Sequence, residues 1–229
     1  MTASKRVVCL ANSRKLNGRC IAGREIRRGK AGDWIRPVSV RTNRDVSEYE
    51  RQYEDGSDPR VLDIIRIPVV KPLPEEWQTE NWLLDDEYYW TREGTWPRLD
   101  LSDLLDPIAP LWIDGFHTYH GRNDKIPHES MRRVLGSLRL IRTQRIRLAV
   151  FSPGEAFGNR KRRVQAHFSH AGTNYAVWVT DPTYERRYLA KLDGTYDVGE
   201  CYLTISLGEP YQGACYKLAA AIIESDSRT

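Results

Sequence analysis

Short β-prone runs, each stopped by a turn signal, follow one another along this chain at intervals of about ten residues. That rhythm is the strongest constraint on the fold. Strands packed so closely in sequence leave little room for the helical crossovers of a parallel sheet, and favour small barrels or sandwiches. The runs are Arg6–Ala11, Arg19–Ala22, Asp33–Val40, Val61–Val70, Ser137–Ile141, Gln144–Val150, Arg163–His170, Tyr175–Thr180 and Cys201–Leu207. Lys217–Ile223 reads as a final strand or a helix. The 229 residues accommodate one large domain or two of about 100 residues each.

Turn chemistry refines this reading. The best-marked hairpin joins Arg163–His170 to Tyr175–Thr180 through Ala171-Gly-Thr-Asn174. A second joins the first two runs, with a loop around Asn12–Gly18 that is longer than a two-residue turn. Pro37 has no amide proton to donate, which places its run at a sheet edge or in an extended segment. Tyr49 and Tyr53 fit a short helix or a loose excursion, and Glu75–Leu84 a helical turn or an extended arm. Leu99–Leu105 has the spacing of a short amphipathic helix with Asp100 and Asp103 outward. The Gly-, Asn- and His-containing stretch Phe116–Ser130 is taken as the boundary between domains 1–125 and 126–229.

Charge is distributed as unevenly as the strands are regular. Residues 1–44 carry twelve Lys/Arg against Glu25 and Asp33, whereas residues 45–115 carry six basic and eighteen acidic side chains. Residues 116–229 are basic again, with seventeen against eleven. Two basic regions therefore flank an acidic, Trp-bearing one, read here as a long irregular insertion over 45–115 in the first domain. Clustered Lys/Arg attracts phosphate-rich polymers, which makes DNA or RNA the expected partner. In the first cluster the candidates are Arg14, Lys15, Arg19, Arg24 and Arg36 with Trp34; in the second they are Arg145, Arg147, Arg160, Lys161, Arg162 and Arg163. Arg145 and Arg147 alternate with apolar residues, so on a strand both project from one face. The plain alternative is neutralisation of these charges by the acidic segment. That segment has its own candidate role, with residues 75–115 docking a protein partner.

Catalytic and metal-binding motifs do not rival this signal. There is no G-x-S-x-G, no P-loop and no GxGxxG, so no nucleophile or cofactor is expected. Cys9, Cys20, Cys201 and Cys215 lie singly, without zinc spacing, and read as packing residues. His167 and His170 would point to opposite faces of their strand, which disfavours a shared metal. His117 and His120, near Asp114 and Asp124, and the acidic run Asp85–Glu87 are the remaining metal candidates, each with a plain surface alternative. No apolar run has the length of a membrane span, and the first residues lack a secretory signal, so a cytoplasmic protein is expected.

Several segments carry a family resemblance: Val8–Lys15, Gly18–Gly23, Trp34–Ser39, Gln78–Trp82, Val179–Pro182, Leu203–Pro210 and Cys215–Ala221. Together they resemble the dual OB-containing domain family of bacterial proteins. The resemblance implies two tandem OB-like barrels and a nucleic-acid-binding role within a bacterial conflict or defence system. It supplies no catalytic residues. The expectation is a mainly β, two-barrel, non-catalytic protein with short helices, using basic loops for phosphate and aromatics for base stacking. The alternative is a nucleotide- or modified-base-sensing module, with a pocket formed by Asp181, Tyr184, Glu209, Tyr211 and Lys217.

Overall fold

The computed structural model describes residues 3–15 and 17–225. The chain divides into two compact units, Met1–Leu104 with Leu135–Ser137, and Leu105–Val134 with Leu138–Thr229. The division thus falls upstream of the expected 125/126 position, because Leu111 already belongs to the core of the second unit.

The first unit contains β1 (Ala3–Lys15), β2 (Gly18–Arg27), β3 (Lys30–Val38), the short helix α1 (Glu48–Arg51), β4 (Asp63–Pro72), β5 (Asn81–Leu84) and β6 (Thr91–Thr95). β1 pairs antiparallel with both β2 and β4, β3 pairs with β2 and runs parallel to β5, and β5 returns to β4. The pairings therefore run in the ring β1-β2-β3-β5-β4, which is the strand order of an OB barrel. Alternation fills its interior with Val7, Cys9, Ile21, Ile35, Ile65, Ile67 and Val69.

Three sequence readings change here. β1 continues to Lys15, which pairs with Gly18, so the first hairpin turn is shorter than the Asn12–Gly18 loop expected. Residues 45–115 are not an irregular insertion: β4 and β5 are two of the five barrel strands, and β6 pairs on the outer side of β4. The run Val61–Val70 marks β4 in the sequence, but Pro72, Pro74 and the surrounding acids conceal the short β5. Pro37 lies inside a barrel strand, but the register with β2 ends at Ile35 and only β5 pairs alongside it. Leu99–Leu105 does form a short helix, a 3-10 turn over Arg98–Leu104 that buries Leu101 and Leu104 and leaves Asp100 and Asp103 outside.

The second unit contains β7 (Lys125–Pro127), β8 (Leu138–Phe151), β9 (Arg163–His170), β10 (Thr173–Val179), the helix α2 (Pro182–Leu189), β11 (Gly194–Leu207) and β12 (Ala214–Glu224). Its ring is β8-β9-β10-β12-β11, with β10 and β12 parallel and the other pairs antiparallel. This is the same order as in the first unit, and Lys217–Ile223 is its last strand. The β9–β10 hairpin turns on Ala171-Gly172 alone, because His170 pairs with Thr173. Both turn residues have positive φ, 48° and 77°, as the right-handed twist of a two-residue hairpin requires. α2 sits between the third and fourth barrel strands, with Asp181 capping its first turn through Thr183 N and Tyr184 N and Pro182 at its start.

Candidate nucleic-acid interface

OB barrels present ligands to the outer face of their second and third strands, framed by the loops joining strands one to two and four to five. In the second unit those elements are β9 and β10 with the 152–162 and 208–213 loops. Val164, Ala166 and Phe168 on β9, and Tyr175, Val177 and Val179 on β10, enter the core. The opposite phase puts Arg163, Gln165, His167 and Ser169, with Asn174, Ala176 and Trp178, on the outside. β8 contributes Arg147 and Phe151, in register with His167 and Arg163.

The outer face is a file of rings. Trp178 lies 5.7 Å from Phe151, Phe151 lies 5.4 Å from His120, and His120 lies 4.7 Å from Tyr119, measured between ring centroids. The Arg163 guanidinium sits 4.0 Å from the centre of the Trp178 ring. Cations at this distance are attracted by the ring quadrupole, so the Arg163 charge is held on the aromatic surface. His167 stands beside Arg147; desolvation, followed by repulsion from that guanidinium, holds its pKa below the ordinary value.

The four basic residues preceding and opening β9 have separate fates. Arg160 and Lys161 are exposed, and neither forms an ion pair among the described residues. They sit on a closed loop, where Asn159 N donates to Gly154 O and Ser152 Oγ to Arg160 O, with Phe157 at its tip 88% exposed. Arg162 instead turns inward to Asp193 and to the carbonyls of Leu189 and Lys191, fastening the end of α2. Arg163 lies on Trp178, as described above. Arg145 and Arg147 both project outward from β8, as alternation requires, but Arg145 is held by Asp197 at 2.6 Å.

The corresponding face of the first unit is differently furnished. Arg24 lies 4.9 Å from the centre of the Trp34 ring and donates to Gly32 O, and Trp34 is buried. Arg36 is 5% exposed and is held by Glu80, with Ser137 bonded to both. Its guanidinium is spent on a buried ion pair. Arg14, Lys15 and Arg19 occupy the β1–β2 hairpin, where Arg19 also bridges to Val46 through its backbone. Elsewhere the basic segment meets the acidic one directly, in Arg6–Glu93, Arg41–Asp45, Arg41–Glu50 and Arg44–Glu75. Neutralisation within the unit is thus a main use of these charges. A cavity of about 570 Å³, lined by Tyr53, Glu54, Asp55, Asp63, Tyr89 and Trp90 among others, opens by α1 and β6, away from β2–β3.

The residues considered for a small-molecule pocket are largely engaged in holding the second unit together. Asp181 caps α2 and also accepts from Ile222 N, and Tyr184 donates to Glu224. Lys217 is buried, with Nζ bonded to Ile113 O and Asp114; desolvation holds its pKa below the ordinary value despite that carboxylate. Only Glu209 and Tyr211 stand exposed, on the β11–β12 loop. Three of the metal candidates have internal partners: Asp124 accepts from Thr118, Asp114 from Tyr175 and Lys217, and His120 is bonded to Pro153 O. Among the described residues no group of three His, Cys, Asp or Glu could hold a metal ion. In segment 75–115, Trp77 and Trp90 are buried and Trp82, Trp96 and Trp112 half-buried, so these rings serve packing. The four cysteines are free thiols, and all except Cys20 are buried.

Sequence reasoning missed Phe151, Trp178, Tyr119 and His120. Trp178 had a readable signal, since it shares the polar phase of β10 with Asn174 while Tyr175, Val177 and Val179 hold the apolar one. Tyr119 and His120 had none, because a loop outside the barrel delivers them.

No helix is long and apolar enough to cross a membrane among the described residues. No curated protein and no solved structure matches the chain. The family model of the dual OB-containing domain matches residues 5–222, nearly the whole chain and both rings of strands. This protein belongs to the dual OB-containing domain family.

Proposed function

We propose that the second unit binds single-stranded nucleic acid on the outer face of β8, β9 and β10, without catalysing a reaction. The observation that carries this reading is the file Arg163–Trp178–Phe151, an aromatic surface bearing a cation, beside a loop that exposes Arg160 and Lys161. Bases stack on such rings whatever their sequence, and the loop cations meet the backbone phosphates. Membership of the family supports a binding module of this kind. The small-molecule alternative is disfavoured because Asp181 and Lys217 already have internal partners.

The test is fluorescence anisotropy of the full chain with labelled single-stranded DNA and RNA. Affinity is expected to fall steeply with salt, because each phosphate contact releases counterions. Trp178→Ala is expected to weaken binding by roughly five- to a hundredfold, the range of one lost stack. Salt-independent binding, or no binding to either polymer, would overturn the proposal. We place this activity in a bacterial conflict setting, on the family resemblance. Cells carrying the wild-type and Trp178→Ala chains should then differ in survival on phage challenge.

A further inference from the structure

Residues 115–124 belong to neither ring of strands, yet they are built onto the proposed face. The loop is closed on itself. Thr118 N and Oγ1 both donate to Asp124, Gly121 N donates to Thr118 Oγ1, and Gly115 N to Asn123 Oδ1. Asp124 is buried, and a Cβ on Gly121 would fall 1.9 Å from its carboxylate, so the tight turn demands glycine there.

The loop is also fastened to the barrel, with Lys217 N of β12 donating to Asp124 O and further bonds reaching the proposed face. Arg122 and Ala176 exchange both backbone hydrogen bonds on the side of β10 away from β9. Asn123 Nδ2 donates to Asn174 O, Gln165 Nε2 donates to His120 O, and His120 Nε2 is bonded to Pro153 O. The last three of these bonds, with the Ala176 pair, reach β9, β10 and the β8–β9 loop, elements that form or border the face.

At the tip of this fastened loop, the Tyr119 side chain is left outside. Tyr119 is 95% exposed, and among the described residues its ring packs edge-on against His120. A large ring left in water makes little contribution to folding, whereas the ten-residue loop around it is held by side-chain and backbone bonds on every side. Preorganised, exposed aromatics are what a stacking ligand needs, since little ordering entropy remains to be lost on binding.

We propose that the 115–124 loop is an added base-binding element and that Tyr119 stacks a nucleobase, extending the platform beyond the barrel. The bound strand runs from Arg163 and Trp178 past Phe151 and His120 to Tyr119. This inference rests on the single-strand reading above, and assigns a further contact residue and a direction for the strand on the same site.

The experiment uses the full chain and a homopolymeric single-stranded oligonucleotide, with binding read by anisotropy. Tyr119→Ala is expected to weaken binding about tenfold with an unchanged unfolding midpoint, and Tyr119→Phe to restore it to within about twofold. An oligonucleotide trimmed from one end should, at one length, lose affinity for the wild type but no further affinity for Tyr119→Ala. That pattern locates the base on this ring. Tyr119→Ala binding as tightly as wild type, with Trp178→Ala weakened, overturns the Tyr119 assignment and leaves the platform standing. If Trp178→Ala is also without effect on a measurable affinity, the single-strand face itself is overturned, and this inference with it.

Discussion

The two barrels share one strand order but use the same face in different ways. On the first, the residues of β2 and β3 that could meet a ligand are turned to the protein's own groups: Trp34 is buried, and Arg36 forms an internal ion pair with Glu80. On the second, Trp178 and Arg163 are only partly covered, and two loop cations stand in solvent beside them. The ends of the barrels differ as well. An eight-residue helix with a full N-cap follows the third strand in the second unit, whereas the first has a four-residue helix and places Tyr53 and Trp90 in its core. Topology alone therefore does not fix what that face presents. What differs is how far the aromatic and basic side chains of that phase are covered.

The sharpest way to break this comparison is Arg36→Ala. Removing one member of a buried ion pair strands the other charge, so the substitution should cost about 3–5 kcal/mol in a urea titration. Nucleic-acid affinity of the folded fraction should hardly change. If affinity collapses while the unfolding midpoint stays put, the first barrel is a contact surface too and the contrast fails.

A smaller effect sharpens the other side. Arg160→Ala with Lys161→Ala should leave stability unchanged and weaken single-strand binding by roughly tenfold at ~0.1 M salt. The slope of log affinity against log salt should become shallower by about 1.4, the value for two lost phosphate contacts on a single strand. Arg162→Ala is the control: it should destabilise the second unit by freeing the end of α2 and leave the salt slope unaltered.

The smallest effect is a pH dependence centred on His167. Its pKa lies below the ordinary value because of desolvation and the neighbouring Arg147 charge. A phosphate at Arg147 would offset that repulsion, so the bound state takes up a proton more readily than the free state. Binding should therefore tighten as pH falls below neutrality, and His167→Gln should flatten the profile. The stability sign is opposite. The unfolded imidazole protonates near pH 6.5, above the folded one, so the folded state loses stability as pH falls through that region.

Much of this architecture was legible beforehand, for definite reasons. The β9–β10 hairpin was readable because period-two alternation flanks a Gly-containing turn, both local properties. The outward placement of Arg145 and Arg147 was readable for the same reason. β5 was harder, since prolines and a high density of acids mask a short strand whose stability comes from β3, distant in sequence. The charge reading was legible in sum but not in detail. Counting could not tell which arginines meet a carboxylate, because Arg36 and Glu80 lie 44 residues apart and Arg162 and Asp193 lie 31 apart.

By itself, then, the sequence determined a mainly β chain, the segment-by-segment sign of its charge, and the phase of its clearest strands. These follow from local pattern and composition, which need no knowledge of contacts. The tertiary structure alone decided which basic residues face outward and which are consumed by internal partners. It also decided that Phe151, Trp178, His120 and Tyr119 form one file, since ring closure of the barrel and the fastening of the 115–124 loop bring together residues from β8, β10 and a loop. Pairing at such separations depends on the whole set of barrel contacts, and no local window of sequence contains it.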